Sequence, residues 1–146
     1  MQNMRIGKKL AGTSAILALV AGGMVATSGT AYAAGGYNGA CGSGYSVIDS
    51  MKVGYGDKSA GTTYLTYNSS NGYNCAVTVN NTSSTMYIKV SLQKSTNGTW
   101  KDDAGFYRSY AGPVYVYAAN SCVDWGGFIS ADKAPITDLK WHDHCG

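Results

Sequence analysis

From Tyr45 onward, apolar and polar residues alternate in short stretches separated by Gly- and Asn-rich turns. A period of two marks strands with one face against a core. Tyr45, Val47, Met51 and Val53 carry that spacing, and Thr62 to Asn68 follows as a Thr- and Tyr-rich strand. The alternation is cleanest in the next two segments. Tyr73, Cys75, Val77 and Val79 oppose Asn74, Ala76, Thr78 and Asn80; Met86, Ile88, Val90 and Leu92 oppose Tyr87, Lys89, Ser91 and Gln93. With only the polar turn Asn81 to Ser84 between them, these two predict an antiparallel hairpin. Thr99 to Lys101 and Phe106 to Tyr110 flank Asp102-Asp103-Ala104-Gly105, which reads as a loop. Val114 to Ala118 sets Val114 and Val116 against Tyr115 and Tyr117, so an inward Val face leaves the two tyrosines partly exposed. Cys122 to Ser130 contains Gly126-Gly127, a pair that predicts a bulge or a close backbone approach. Asp138 to Cys145 closes the chain. No segment holds a helical period. The expectation is an all-β fold, a single small sandwich or barrel of about seven to eight antiparallel strands.

Before this pattern begins, the chain reads differently. Arg5, Lys8 and Lys9 precede a mostly apolar stretch from Leu10 to Val25, and Ala31-Tyr32-Ala33 supplies a small-x-small cleavage pattern. This is the three-part plan of an export signal. Gly12, Thr13, Ser14, Gly22 and Gly23 dilute the apolar run below the roughly 20 strongly apolar residues of a spanning helix. The predicted organisation is a signal over 1–33 and a secreted domain over 34–146, with no membrane contact after cleavage.

That division changes the charge. The whole chain has 11 Lys+Arg against 8 Asp+Glu, a formal +3. Three bases and no acid leave with the signal, so 34–146 holds 8 of each and is neutral. Its basic residues stand singly, which excludes the clustered cations that bind a phosphate backbone. No nucleic-acid partner is expected.

Cys41, Cys75, Cys122 and Cys145 all lie in the exported part, an even set that predicts two disulfides. Sequence leaves three pairings open. The pairing preferred here is Cys41–Cys145 with Cys75–Cys122, because the first would tie the two ends of the domain. A closed loop of about 100 residues is worth roughly 4 to 5 kcal/mol in the chain-entropy model.

Several stretches of the exported part match a known family. They are Tyr37-Asn38-Gly39-Ala40-Cys41-Gly42-Ser43-Gly44-Tyr45, Thr63-Tyr64-Leu65-Thr66-Tyr67-Asn68, Asn74-Cys75-Ala76-Val77-Thr78-Val79, Tyr110-Ala111-Gly112-Pro113-Val114-Tyr115-Val116, Cys122-Val123-Asp124-Trp125-Gly126-Gly127 and His144-Cys145-Gly146. Through them the chain resembles the spore-associated protein A family of streptomycetes and related actinomycetes, including all four cysteines. The resemblance implies a small exported protein found with spores or culture fluid. It brings no catalytic residue with it.

Candidate chemistry is sparse. The chain has no Glu, so a glycosidase would need two Asp, and the only adjacent pair, Asp102-Asp103, sits in a predicted turn. No Gly-x-Ser-x-Gly elbow is present. No catalytic residue is assigned and no cofactor is expected. His142 and His144 would share a face on a strand and could hold a metal with a third ligand. The ordinary reading, two solvent-facing polar residues beside a disulfide, is preferred. The aromatics are the better lead. Trp100, Trp141, Tyr115 and Tyr117 are candidate surface-binding residues, because flat rings stack on sugars or anchor protein contacts. The function expected is a monomeric, non-enzymatic protein of the spore or cell surface that contacts wall polysaccharide or coat components. The alternatives are a secreted protease inhibitor, with Asp102 to Gly105 as its reactive segment, or a small secreted hydrolase or toxin.

Overall fold

The computed structural model describes residues 36–56, 58, 60–132 and 137–146. The predicted export signal and its cleavage point lie outside the described residues. Those residues form eight strands and no helix: β1 (Ser46–Val53), β2 (Gly61–Asn68), β3 (Tyr73–Asn80), β4 (Met86–Lys94), β5 (Lys101–Tyr107), β6 (Tyr110–Tyr117), β7 (Val123–Ser130) and β8 (Asp138–Asp143). They pair antiparallel into two four-stranded sheets, in the orders β1-β2-β3-β6 and β5-β4-β7-β8. The fold is the predicted all-β sandwich.

The expected β3–β4 hairpin is not formed. β3 pairs with β2 and β6, whereas β4 pairs with β5 and β7. The short turn between them carries the chain from one sheet to the other. Alternation tells which face of a strand is apolar, but a partner across the core satisfies it as well as one alongside. β3 is in fact buried on both sides. Ala76 faces the core between the sheets, while Cys75 and Val77 lie fully buried on the outer face.

The core sets Val53, Leu65 and Ala76 of the first sheet against Ile88, Val90, Leu92, Trp125 and Ile129 of the second, all with no exposed surface. Each buried Val, Leu or Ile side chain stabilises by about 1.5–3 kcal/mol relative to exposure. Beside this apolar centre, Thr63 Oγ1 and Thr78 Oγ1 share a hydrogen bond at 2.8 Å. They satisfy each other because Gly127 of β7 stands directly opposite, where a Cβ would collide with both hydroxyls. The Gly126-Gly127 pair is thus a close backbone approach, and the pairing of β7 with β4 runs through it without a register shift.

Asp102 to Gly105 is not a loop. These residues lie inside β5 and pair with Ser91 to Ile88 of β4. The segment expected as a free reactive loop is thus a strand at the edge of the second sheet. The ladder extends through Asp102-Asp103 because the two carboxylates go to opposite faces. Asp102 faces outward near Lys89, at 3.8 Å. Asp103 faces inward and accepts the Tyr107 hydroxyl at 2.8 Å and the Gly112 amide at 2.7 Å, tying β5 to β6 across the sandwich. On the other open side, Lys140 of β8 donates to Asp49 of β1.

The disulfides join Cys41 to Cys75 and Cys122 to Cys145, not the preferred Cys41–Cys145 and Cys75–Cys122. Loop-closure entropy states what a bond is worth, not which sulfurs meet. β7 and β8 are antiparallel neighbours with Val123 opposite Asp143, so the residues flanking that end of the pair, Cys122 and Cys145, are brought together. Cys75 points outward from the middle of β3, beneath the segment Gly36–Tyr45, which contains Cys41. The two bonds close sequence separations of 34 and 23 residues. Each is worth about 3 to 4 kcal/mol in the chain-entropy model.

Candidate functional site

The four candidate aromatic residues divide between the two outer faces. On the first sheet, Tyr115 is engaged by the N-terminal segment. Its hydroxyl donates to the Cys41 carbonyl at 3.1 Å, and its ring meets Tyr45 edge-on at 5.6 Å. Burial raises the Tyr115 hydroxyl above its ordinary pKa, with Tyr45 and Tyr37 adding to the shift. Tyr117, beyond the end of this segment, pairs with Tyr73 at 5.5 Å and is 56% exposed. Val114 and Val116 face the core as the alternation predicts.

Trp100 and Trp141 belong to the second sheet and come from its opposite edges. Trp100 immediately precedes β5 and Trp141 lies on β8, yet their rings meet edge-to-face at 5.8 Å and 83°. Gly126 makes this meeting feasible. A Cβ there would strike the Asp138 carbonyl and stand 2.9 Å from Leu139 Cα, so the bare glycine lets the backbone of β8 pack directly over β7. Beside the joined rings lies a hollow of about 220 Å³ lined by Lys89, Ser91, Asp102, Thr137 and Leu139 as well as the tryptophans. Lys89 and Ser91 are outward residues of β4, and Asp102 sits opposite Ser91 on β5. Ser91 is only 3% exposed, and its Oγ has no hydrogen-bond partner among the described residues. Further along the same face, Tyr87 packs edge-on against Phe106 at 5.3 Å, and Phe106 is 57% exposed.

The outward positions of β4 were legible in its alternation, but Lys89, Ser91 and Asp102 were missed as site residues. The signal was the polar half of that alternation. It pointed to a site only once Trp100 and Trp141 were known to cover it.

Among the described residues, no group of three potential metal ligands includes His142. Both C-terminal histidines have positive φ, 51° at His142 and 47° at His144, so the backbone leaves the extended conformation on which the two-imidazole site depended. The His142 amide donates to Asp124 at 2.9 Å. It is His144, Asp49 and Asp143 that bring a nitrogen and two carboxylates within 4.8 Å of one another. Those carboxylates are already engaged: Lys140 donates to Asp49, and the Trp125 indole N–H donates to Asp143 at 3.0 Å. Burial pushes the Asp49 carboxyl up, but the hydrogen bonds from Lys140, His144 and the Ser50 amide outweigh it and hold the group below the usual carboxylate range. The cluster therefore works as an ion-paired clasp between β1 and β8. Asp124 behaves likewise: burial opposes its charge, while the His142 amide, Ser95 and Gln93 hold its carboxyl low.

A larger hollow, about 250 Å³, opens between the sheets where the C-terminal tail closes one end of the sandwich, lined by residues including Tyr67, Asn74, Asn120 and His144. It lacks the facing aromatic pair and the unpartnered hydroxyl of the tryptophan groove.

The chain is 48% identical over 143 residues to spore-associated protein A of Streptomyces coelicolor, a match covering 97% of this chain and 88% of that protein. No family model matches it. No solved structure matches it.

Proposed function

Because the chain belongs to the spore-associated protein A family, we propose that it is a non-enzymatic exported protein of the spore or cell surface, which contacts wall polysaccharide or coat components through the outer face of its second sheet. The observation that carries this reading is the meeting of Trp100 and Trp141 over a polar floor, with Trp141 58% exposed. Exposed rings of this kind bind through stacking and hydrogen bonding. The relative's name supports the spore as the setting. The pairing of all four cysteines supports an oxidising compartment outside the cytoplasm.

The balanced charge of 34–146 further indicates how the contact is made. Surface attraction between exposed charges is screened by salt, whereas stacking is not. Purified protein incubated with isolated spores and cell walls should therefore be retained at both low and high salt. The double substitution Trp100→Ala and Trp141→Ala should lower retention about tenfold or more. Absence of retention by the unaltered protein, or retention that salt abolishes, would overturn the reading.

A further inference from the structure

We infer that the groove beside the Trp100–Trp141 pair is a subsite for one ring of an uncharged, hydroxyl-rich saccharide, an inference that rests on the surface-binding reading above and specifies its ligand. Three features of the groove point to this class. The two indoles brace each other edge-to-face, and both line the hollow, with Trp141 58% exposed. A pyranose ring has an apolar C–H face that stacks on such a surface and hydroxyls that project from its rim. On the floor of the groove, the Ser91 hydroxyl is buried and has no hydrogen-bond partner among the described residues. A buried hydroxyl left without a hydrogen bond is destabilising, and a ligand hydroxyl reaching the floor would satisfy it.

The third feature is the charge of the lining. Lys89 and Asp102 lie on either side of Ser91 at 3.8 Å from each other, a loose pair with donors and acceptors to spare. Their charges cancel, so the groove offers an anionic ligand repulsion from Asp102 and a cationic one repulsion from Lys89. Neutral hydroxyls can accept from Lys89 and donate to Asp102. No bond is made or broken, because the groove binds and does not transform.

The experiment is a titration of ¹⁵N-labelled, oxidised protein, followed by amide and indole NMR shifts. The probes are a neutral β-1,4-glucan hexamer, a neutral β-1,4-N-acetylglucosamine hexamer, an oligogalacturonate as anion and a glucosamine oligomer as cation. Saturable shifts are expected with at least one neutral probe at Ser91, Gly126 and the Trp100 and Trp141 indoles, and none at Tyr73 or Tyr117. Trp141→Ala should weaken binding about tenfold or more. Ser91→Ala should weaken it about three- to tenfold without lowering the melting temperature, which separates a ligand-facing hydroxyl from a structural one. The inference falls if neither neutral probe gives saturable shifts, if a charged probe binds more tightly, or if Trp141→Ala binds as the parent does. In any of these cases, persisting retention on spores and walls would leave the surface-binding reading standing, and lost retention would remove both.

Discussion

On the first sheet, the outward residues Tyr64, Thr66, Cys75 and Val77 are buried beneath the segment Gly36–Tyr45. On the second, Lys89 and Asp102 line an open groove, and Phe106 and Trp141 are each more than half exposed. Both faces are made of strand-favouring aromatics and hydroxyl residues. The difference arises from what crosses them. A covalent bond from Cys41 to Cys75, the Tyr37 ring 5.5 Å from Tyr64 and the Tyr115 hydroxyl fasten a segment over the first. Tyr64 beneath this segment is packing, while Tyr117 beyond it stays exposed. The same residue types on the second face meet one another and solvent, and form the surface proposed to bind. Whether a strand tyrosine or tryptophan is structural or functional is thus decided by the neighbouring chain, not by its own alternation.

The largest test of this contrast removes the fastening. Replacing Cys41 and Cys75 together by Ala should cost about 3 to 4 kcal/mol, seen as a lowered denaturant midpoint. Retention on spores at temperatures where the variant stays folded should be unchanged, because the second face is untouched. Equal loss of retention would erase the distinction between the faces.

Gly126→Ala probes the second face from beneath. The added Cβ meets the Asp138 carbonyl and Leu139 Cα, and overpacking of this kind costs about 1–3 kcal/mol. Displacing β8 should also separate Trp141 from Trp100, so the near-UV circular dichroism should change and retention should drop. A variant with parental spectrum and retention would show that the glycine does not set the groove. The smallest effect is expected at Tyr115→Phe, which deletes the hydrogen bond to Cys41 and should cost about 0.5–1.5 kcal/mol in thermal or denaturant melts while leaving retention intact. A loss of retention there would move the binding surface to the first face.

Much of this was legible in the chain. Period two placed six of the eight strands within a residue or two of their observed limits, and it identified Ile88, Val90 and Leu92 as the core face of β4. Gly126-Gly127 announced a close approach, and the four cysteines announced two bonds. β6 begins at Tyr110, four residues before the expected Val114, and β5 departed furthest: Asp102-Asp103 resembled a turn because Asp favours turns, yet each carboxylate found its own partner on its own face.

Local sequence thus determined the strand type, the inward faces and the number of staples, since these depend on residues a few positions apart. Only the tertiary structure decided that β3 and β4 part into different sheets, that Cys41 meets Cys75, and that Trp100 and Trp141, from opposite edges, close over Ser91. The reason is physical. A strand's alternation specifies a buried face but not what buries it, and that identity is settled by which distant segments can pack against the face together.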